Sequence, residues 1–232
     1  RMEIVIASRA SGNTAMTSRV RTTIQMISPI PRLQPGSMWL VTATPGWLTC
    51  LNSHAHLGES LPPTAIVTNG AGNFAAWLHR FYRHRACRTQ LAPTSGAMGY
   101  GYPAALAAKS VHPDREVICI AGDGDYLMTG QEIATAVQYG INAVVVVVDN
   151  GTYGTIRMHQ EMHYPGAQRT MATDLKNPDF VKYAEAFGAF GIRCETTADF
   201  PAALAAARAA GRPALVHLIT SAEDIAPNRT IT

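Results

Sequence analysis

The chain has 232 residues, 47% of them hydrophobic and 15% charged, enough to bury a sizeable core and still carry material outside one domain. Its longest apolar run, residues 143–148, has the length of a buried strand and falls well short of the roughly 18–20 residues that cross a bilayer. Cys50, Cys87, Cys119 and Cys194 form no CxxC pair, which argues against a zinc site or a disulfide framework and fits a reducing, cytoplasmic setting.

The net charge of +3 conceals a split. Residues 1–113 carry ten Lys or Arg against Glu3 and Glu59, whereas residues 114–232 carry nine against fourteen acids. The early arginines are spread singly among Ser, Thr and Pro without aromatic interleaving, so they do not form a nucleic-acid-binding arm. An acid-poor, Arg- and Ser-rich start also has the composition of a transit peptide, but the stretches "SPIPRLQPG" and "ATPG" are hostile to the helix such a peptide needs.

Taken in chain order, residues 1–63 lack periodicity and read as an irregular leader, with a boundary at "ESLPPT". Pro29, Pro31, Pro35 and Pro45 break up its middle, and residues 1–60 contain no Asp or Lys. The leader is therefore expected to be foreign to the remainder, from a frame-shifted or mis-assembled reading. From residue 64 the pattern is regular. Strand-like runs at 65–68, 89–92, 116–122, 143–149, 189–194 and 213–219 alternate with helical stretches at 73–84, 101–111, 130–139, 179–188 and 199–211, with a long loop after residue 149. Apolar strands alternating with helices predict an α/β fold: a parallel sheet of about six strands with helices on both faces, occupying residues 64–232.

In such a sheet, ligands bind outside the carboxyl ends of the strands. Asp123 follows the third run between Gly122 and Gly124, and Asn150 ends the next. An acid and an amide oxygen facing one crevice are hard ligands suited to magnesium, which keeps substrate phosphate in its shell. The flanking glycines allow close backbone approach to phosphate. Thr129 and Glu132 have capping-box spacing, which predicts a helix N-terminus turned towards an anion. A dinucleotide-binding reading is weaker. The turn in "AIVTNGAGN" offers G-x-G but neither the third glycine nor an acid about twenty residues on.

Twenty-four residues separate Gly124 from the "DNG" at 149–151, enough for one helix and one strand. With that spacing, the chain resembles the thiamine-diphosphate-dependent enzymes related to acetolactate synthase. "APTSGAMGYGYPAALAAK" at 92–109 and "VTNGAGNFAAWLHR" at 67–80 look like further segments of the same family. The resemblance covers residues 64–232 and implies thiamine diphosphate and Mg2+ as cofactors. It implies that Asp123, Asn150 and the Thr152 carbonyl hold the metal, and that Gly72, Asn73, Gly124 and Tyr153 lie near the diphosphate. Met98 is implied as the apolar support beneath the bent cofactor, and the Gly96 carbonyl as the acceptor for its exocyclic amine. Two departures stand out: Asp149-Asn150 replaces the Asn-Asn of many relatives, and Phe74 takes the place of a histidine of typical acetolactate synthases.

The implied activity is decarboxylation of a 2-keto acid such as pyruvate followed by carboligation, in a homo-oligomer. The activating glutamate of this family belongs to a pyrimidine-binding domain, usually of another chain. Only Glu3 and Glu59 occur in residues 1–63, and neither has a matching context. The chain by itself is therefore expected to bind cofactor weakly and turn nothing over, a non-catalytic cofactor-binding or assembly fragment being the alternative. His54 and His56 lack acidic or cysteine partners for a metal, and His159 and His163, spaced i, i+4, read as ordinary polar residues.

Overall fold

The computed structural model describes residues 50–164, 171–227 and 229–230. Six parallel strands, β1 (Ile66–Asn69), β2 (Gln90–Leu91), β3 (Val117–Gly122), β4 (Val144–Asp149), β5 (Phe190–Cys194) and β6 (Ala214–Ile219), form one sheet in the order β2-β1-β3-β4-β6-β5. A short antiparallel pair, β7 (Asp224–Ala226) and β8 (Arg229–Thr230), follows.

β3 and β4 are apolar on both faces because both faces are covered. Ile118, Ile120, Val144, Val146 and Val148 pack in one layer beneath Leu57, Leu78, Phe200 and Leu204. Val117, Cys119, Ala121, Val145 and Val147 point the other way, against Tyr102, Leu106, Tyr126, Ile133 and Phe180. These residues place α1 (Cys50–Ser60), α2 (Phe74–Phe81) and α8 (Phe200–Ala209) on one face. On the other lie α3 (Gly101–Val111), α4 (Asp123–Tyr126), α5 (Ile133–Tyr139) and α7 (Phe180–Ala186). Among the described residues no helix is long and apolar enough to cross a membrane.

The expected strands and helices all form, and three expectations are corrected. Part of the stretch expected to be irregular is α1, whose Ser53, His54, Leu57 and neighbouring Leu61 are buried. Packing against α2 and α8 puts α1 in one body with the sheet; residues 1–49 lie outside the described residues. The loop expected after β4 contains α6 (Gly154–His163). The helix expected from Gly130 begins as a 3-10 turn, Gly130–Glu132, before α5.

The chain order supplies the site. From β1 the chain passes over one face through α2 to β2, while from β3 it passes over the opposite face through α5 to β4. Adjacent strands that send their connections to opposite faces leave a crevice at their carboxyl ends, where open α/β sheets bind ligands. Here that crevice lies between residues 70–73 and the turn at Asp123.

Candidate functional site

A cleft opens at this switch point, lined by Gly72, Asn73, Phe74, Trp77, Met98, Asp123, Gly124, Asn150, Thr152, Tyr153, Ile156 and Ile225, among others. Eight of the nine residues expected at the site line it. The ninth, Gly96, does not: it is exposed in the turn before α3, with φ +69°, and its N–H points back to the Pro93 carbonyl.

Asp123 is buried, and donors from two loops reach it. Gly124 N donates to Oδ1 at 2.9 Å, while Gly151 N at 3.0 Å and Asn177 Nδ2 at 2.7 Å donate to Oδ2. The Gly151 contact joins the turn after β3 to the loop after β4, although the two residues are 28 apart in sequence. Burial pushes the Asp123 carboxyl up to about 6, partly offset by the hydrogen bonds from Asn177 and Gly124. Asp149 takes the opposite course. Burial alone would raise it, but His217 Nε2 lies 2.7 Å from Oδ2, and hydrogen bonding to His217, Asp123 and Asn177 holds it below the usual carboxylate range. Asn177 Nδ2 also donates to Asp149 Oδ1 at 2.7 Å, so one amide nitrogen spans both acids.

The loop after β4 is held from inside and out. Thr152 N donates to Asn150 Oδ1 at 3.2 Å, Gly154 N to the Thr152 carbonyl at 2.8 Å, and Thr152 Oγ1 to the Thr173 carbonyl at 2.9 Å. A carbonyl or amide oxygen has two lone pairs, so Asn150 Oδ1 and the Thr152 carbonyl each retain one. With Asp123 they make a set of hard oxygen donors that suits Mg2+.

The neighbouring glycines are required by close approach. A Cβ on Gly124 would lie 2.5 Å from the Tyr153 ring, and one on Gly122 would lie 2.8 Å from the Phe74 ring. The Phe74 ring meets Gly72 as closely, so the residue that departs from the family pattern packs between two loops of the cleft wall. Asn73 ties α2 to α6, its N–H donating to Thr155 Oγ1 at 3.2 Å. Met98 is 37% exposed on the cleft wall.

The expected capping box does not form. Thr129 Oγ1 donates instead to the Gly99 carbonyl at 2.8 Å, and Glu132 Oε2 accepts from Thr135 Oγ1. The chain turns helical immediately at Asp123, so the Gly130 turn begins away from the cleft and the Thr129 hydroxyl serves a tertiary contact. His54 is buried in α1, His56 meets the edge of Phe200, and His159 stacks on His163 along α6. None of the four lines the cleft.

Sequence reasoning missed Asn177, His217 and Asp125. Asn177 precedes Pro178, which marks only the approach to a helix, and His217 sits in an apolar strand. Asp125 stands in full view two residues after Asp123. Its Oδ1 accepts Ala71 N at 3.1 Å and Gly99 N at 2.9 Å, and burial pushes its carboxyl up to about 6 against those bonds.

Comparison with known proteins gives the family. The chain is 38% identical over 174 residues to an acetolactate synthase of Mycobacterium avium, a match covering 72% of this chain and 28% of that protein. It is 34% identical over 171 residues to a probable acetolactate synthase large subunit of Methanocaldococcus jannaschii, covering 73% and 29%. It thus spans less than a third of the length of these relatives. Among solved structures, the thiamine diphosphate-dependent 4-hydroxybenzoylformate decarboxylase of Rhodococcus jostii RHA1 superposes with a TM-score of 0.73 at 30% identity, covering 85% of this chain and 37% of that one. Residues 70–218 match the family described as "Thiamine pyrophosphate enzyme, C-terminal TPP binding domain". By that match and these relatives, the chain belongs to the thiamine pyrophosphate enzymes, with the C-terminal TPP-binding domain of acetolactate-synthase-like members.

Proposed function

We propose that the chain binds thiamine diphosphate through Mg2+ as the diphosphate-binding part of an acetolactate-synthase-like 2-keto acid decarboxylase or carboligase. The observation that carries this reading is the hydrogen bond from Gly151 N to Asp123 Oδ2, which brings the Gly-Asp-Gly turn and the Asn150 loop to one point. Asp123, Asn150 Oδ1 and the Thr152 carbonyl would hold the metal. Gly72, Asn73, Gly124 and Tyr153 would border the diphosphate, with Met98 as apolar support. Bound there, thiamine diphosphate supplies the electron sink that decarboxylation of a 2-keto acid requires. The chain's own part is to hold the metal oxygens, present backbone to phosphate across the glycines, and wall the cleft with Phe74, Trp77 and Ile225.

The activating glutamate would come from a pyrimidine-binding domain, in a cytoplasmic homo-oligomer whose sites are shared between subunits. The exposed position of Glu59 on α1, an element with no residue on the cleft wall, supports that reading. The purified chain with thiamine diphosphate, Mg2+ and pyruvate should therefore release no carbon dioxide above background. Sustained cofactor-dependent release that survives both Glu3→Gln and Glu59→Gln would refute the glutamate assignment. The alternative, a non-catalytic cofactor-binding or assembly fragment, predicts the same silence, but also no turnover when a pyrimidine-binding domain of a related enzyme is added.

Met98 gives a finer test. Met98→Ala should leave Mg2+ binding unchanged and weaken thiamine diphosphate by about three- to tenfold, the loss expected for removing one apolar side chain from a contact. Equal cofactor affinity in variant and parent, measured by calorimetry, would count against its supporting role.

A further inference from the structure

Asp125 has no part in the metal or diphosphate contacts proposed above, yet it is only 3% exposed at the base of the cleft. It lies on α4, and its carboxylate projects between two other loops. One follows β1 and carries Gly72 and Asn73; the other precedes α3 and carries Met98. A single oxygen, Oδ1, accepts Ala71 N from the first loop and Gly99 N from the second.

The surroundings are built around that carboxylate. A Cβ on Gly70 would lie 2.0 Å from an Asp125 oxygen, so the end of β1 closes directly on it. Gly99 has φ +79°, a conformation that favours glycine. Its N–H is held by Asp125 while its carbonyl accepts Thr129 Oγ1 at 2.8 Å. Both groups of Gly99 are thus gripped by the segment after β3, immediately beside Met98.

We propose that Asp125 is a positioning residue for the cofactor: by joining the Ala71 and Gly99 amides, its carboxylate fixes the spacing between the diphosphate-bordering loop and the Met98 wall. This inference rests on the cofactor reading of the cleft. An acceptor that serves two donors at once suits the role, and a carboxylate makes stronger bonds to N–H than a neutral oxygen does. Without it, the buried Gly99 N–H and the half-buried Ala71 N–H lose their partner, and the loops that carry them lose their common anchor.

The test uses Asp125→Ala and Asp125→Asn in the full chain, with Leu204→Ala, in the core beneath the opposite face, as a control for lost stability. Two quantities are measured: magnesium-dependent thiamine diphosphate affinity by calorimetry, and amide hydrogen exchange at Ala71 and Gly99 by NMR. Asp125→Ala should weaken binding about tenfold or more and expose both amides. Asp125→Asn, which keeps an acceptor oxygen in place, should restore both readings to within about threefold of the parent. Leu204→Ala should change neither. Asp125→Ser, too short to reach both amides, should behave as the alanine variant and carries the same test should that variant fail to fold. Absence of binding by the parent chain would overturn the cofactor reading and this inference with it. With parent binding in place, undiminished affinity or retained protection in Asp125→Ala, or an equal loss in Leu204→Ala, would overturn the inference alone.

Discussion

Asp123→Ala should lower magnesium-dependent thiamine diphosphate affinity by more than about a hundredfold while the chain still folds. The affinity falls because the variant removes the carboxylate among the three proposed metal oxygens, leaving the diphosphate charge poorly compensated. The fold survives because most donors that serve Asp123 have a second acceptor. Gly151 N also reaches Asp149 Oδ1 at 2.9 Å, and Asn177 Nδ2 reaches the same oxygen at 2.7 Å. Only Gly124 N loses its side-chain partner, and removal of a buried carboxyl beside Asp149 relieves a desolvation cost. The two effects should nearly cancel, with stability changing by no more than about 1 kcal/mol. Calorimetry and thermal unfolding of the same preparation separate the two claims. Undiminished binding would sink the metal assignment, and loss of folding would sink the account of the shared donors.

Gly101→Ala should do the reverse, damaging the fold first. Gly101 begins α3 where it crosses the end of β1, and a Cβ there would lie 2.6 Å from Gly70 N and 2.8 Å from the Asn69 carbonyl carbon. Those are backbone atoms of a paired strand, unable to rotate aside. The Gly101 carbonyl is also fixed, accepting Thr68 Oγ1 at 2.7 Å. Forcing α3 off β1 should cost about 2–3 kcal/mol and lower Tm by about 5–10 °C. It should also pull the Met98 loop away from residues 70–73. A variant with the parent's Tm would show that this crossing has slack the described packing does not allow.

The sheet was readable because its strands are buried on both faces: a run such as "VVVVV" has no other place in a molecule of this size. Asp123 and Asn150 were readable because each follows an apolar run, and the 24 residues between Gly124 and Asp149 are enough for one helix and one strand, which returns both ends to the same side of the sheet. α6 left no such mark. None of its residues is buried, so no apolar period distinguishes it from a loop. α1 was hidden for a different reason, since part of its buried stripe is Ser53 and His54, residues that read as polar surface. The Thr129 cap failed because spacing alone does not say which carbonyl a hydroxyl will find. Asn177 and His217 show the same limit on a larger scale: their partner Asp149 lies 28 and 68 residues away, and only the folded sheet brings them together.

The central claim is that this cleft takes a diphosphate through a divalent cation, and calorimetric titration of the parent chain tests it most directly. The titration is run with thiamine diphosphate in Mg2+, with thiamine diphosphate in EDTA, and with NAD in Mg2+. Weak, saturable one-site binding of thiamine diphosphate in Mg2+ alone is the predicted result. Equal binding in EDTA, or binding of NAD in its place, would contradict it.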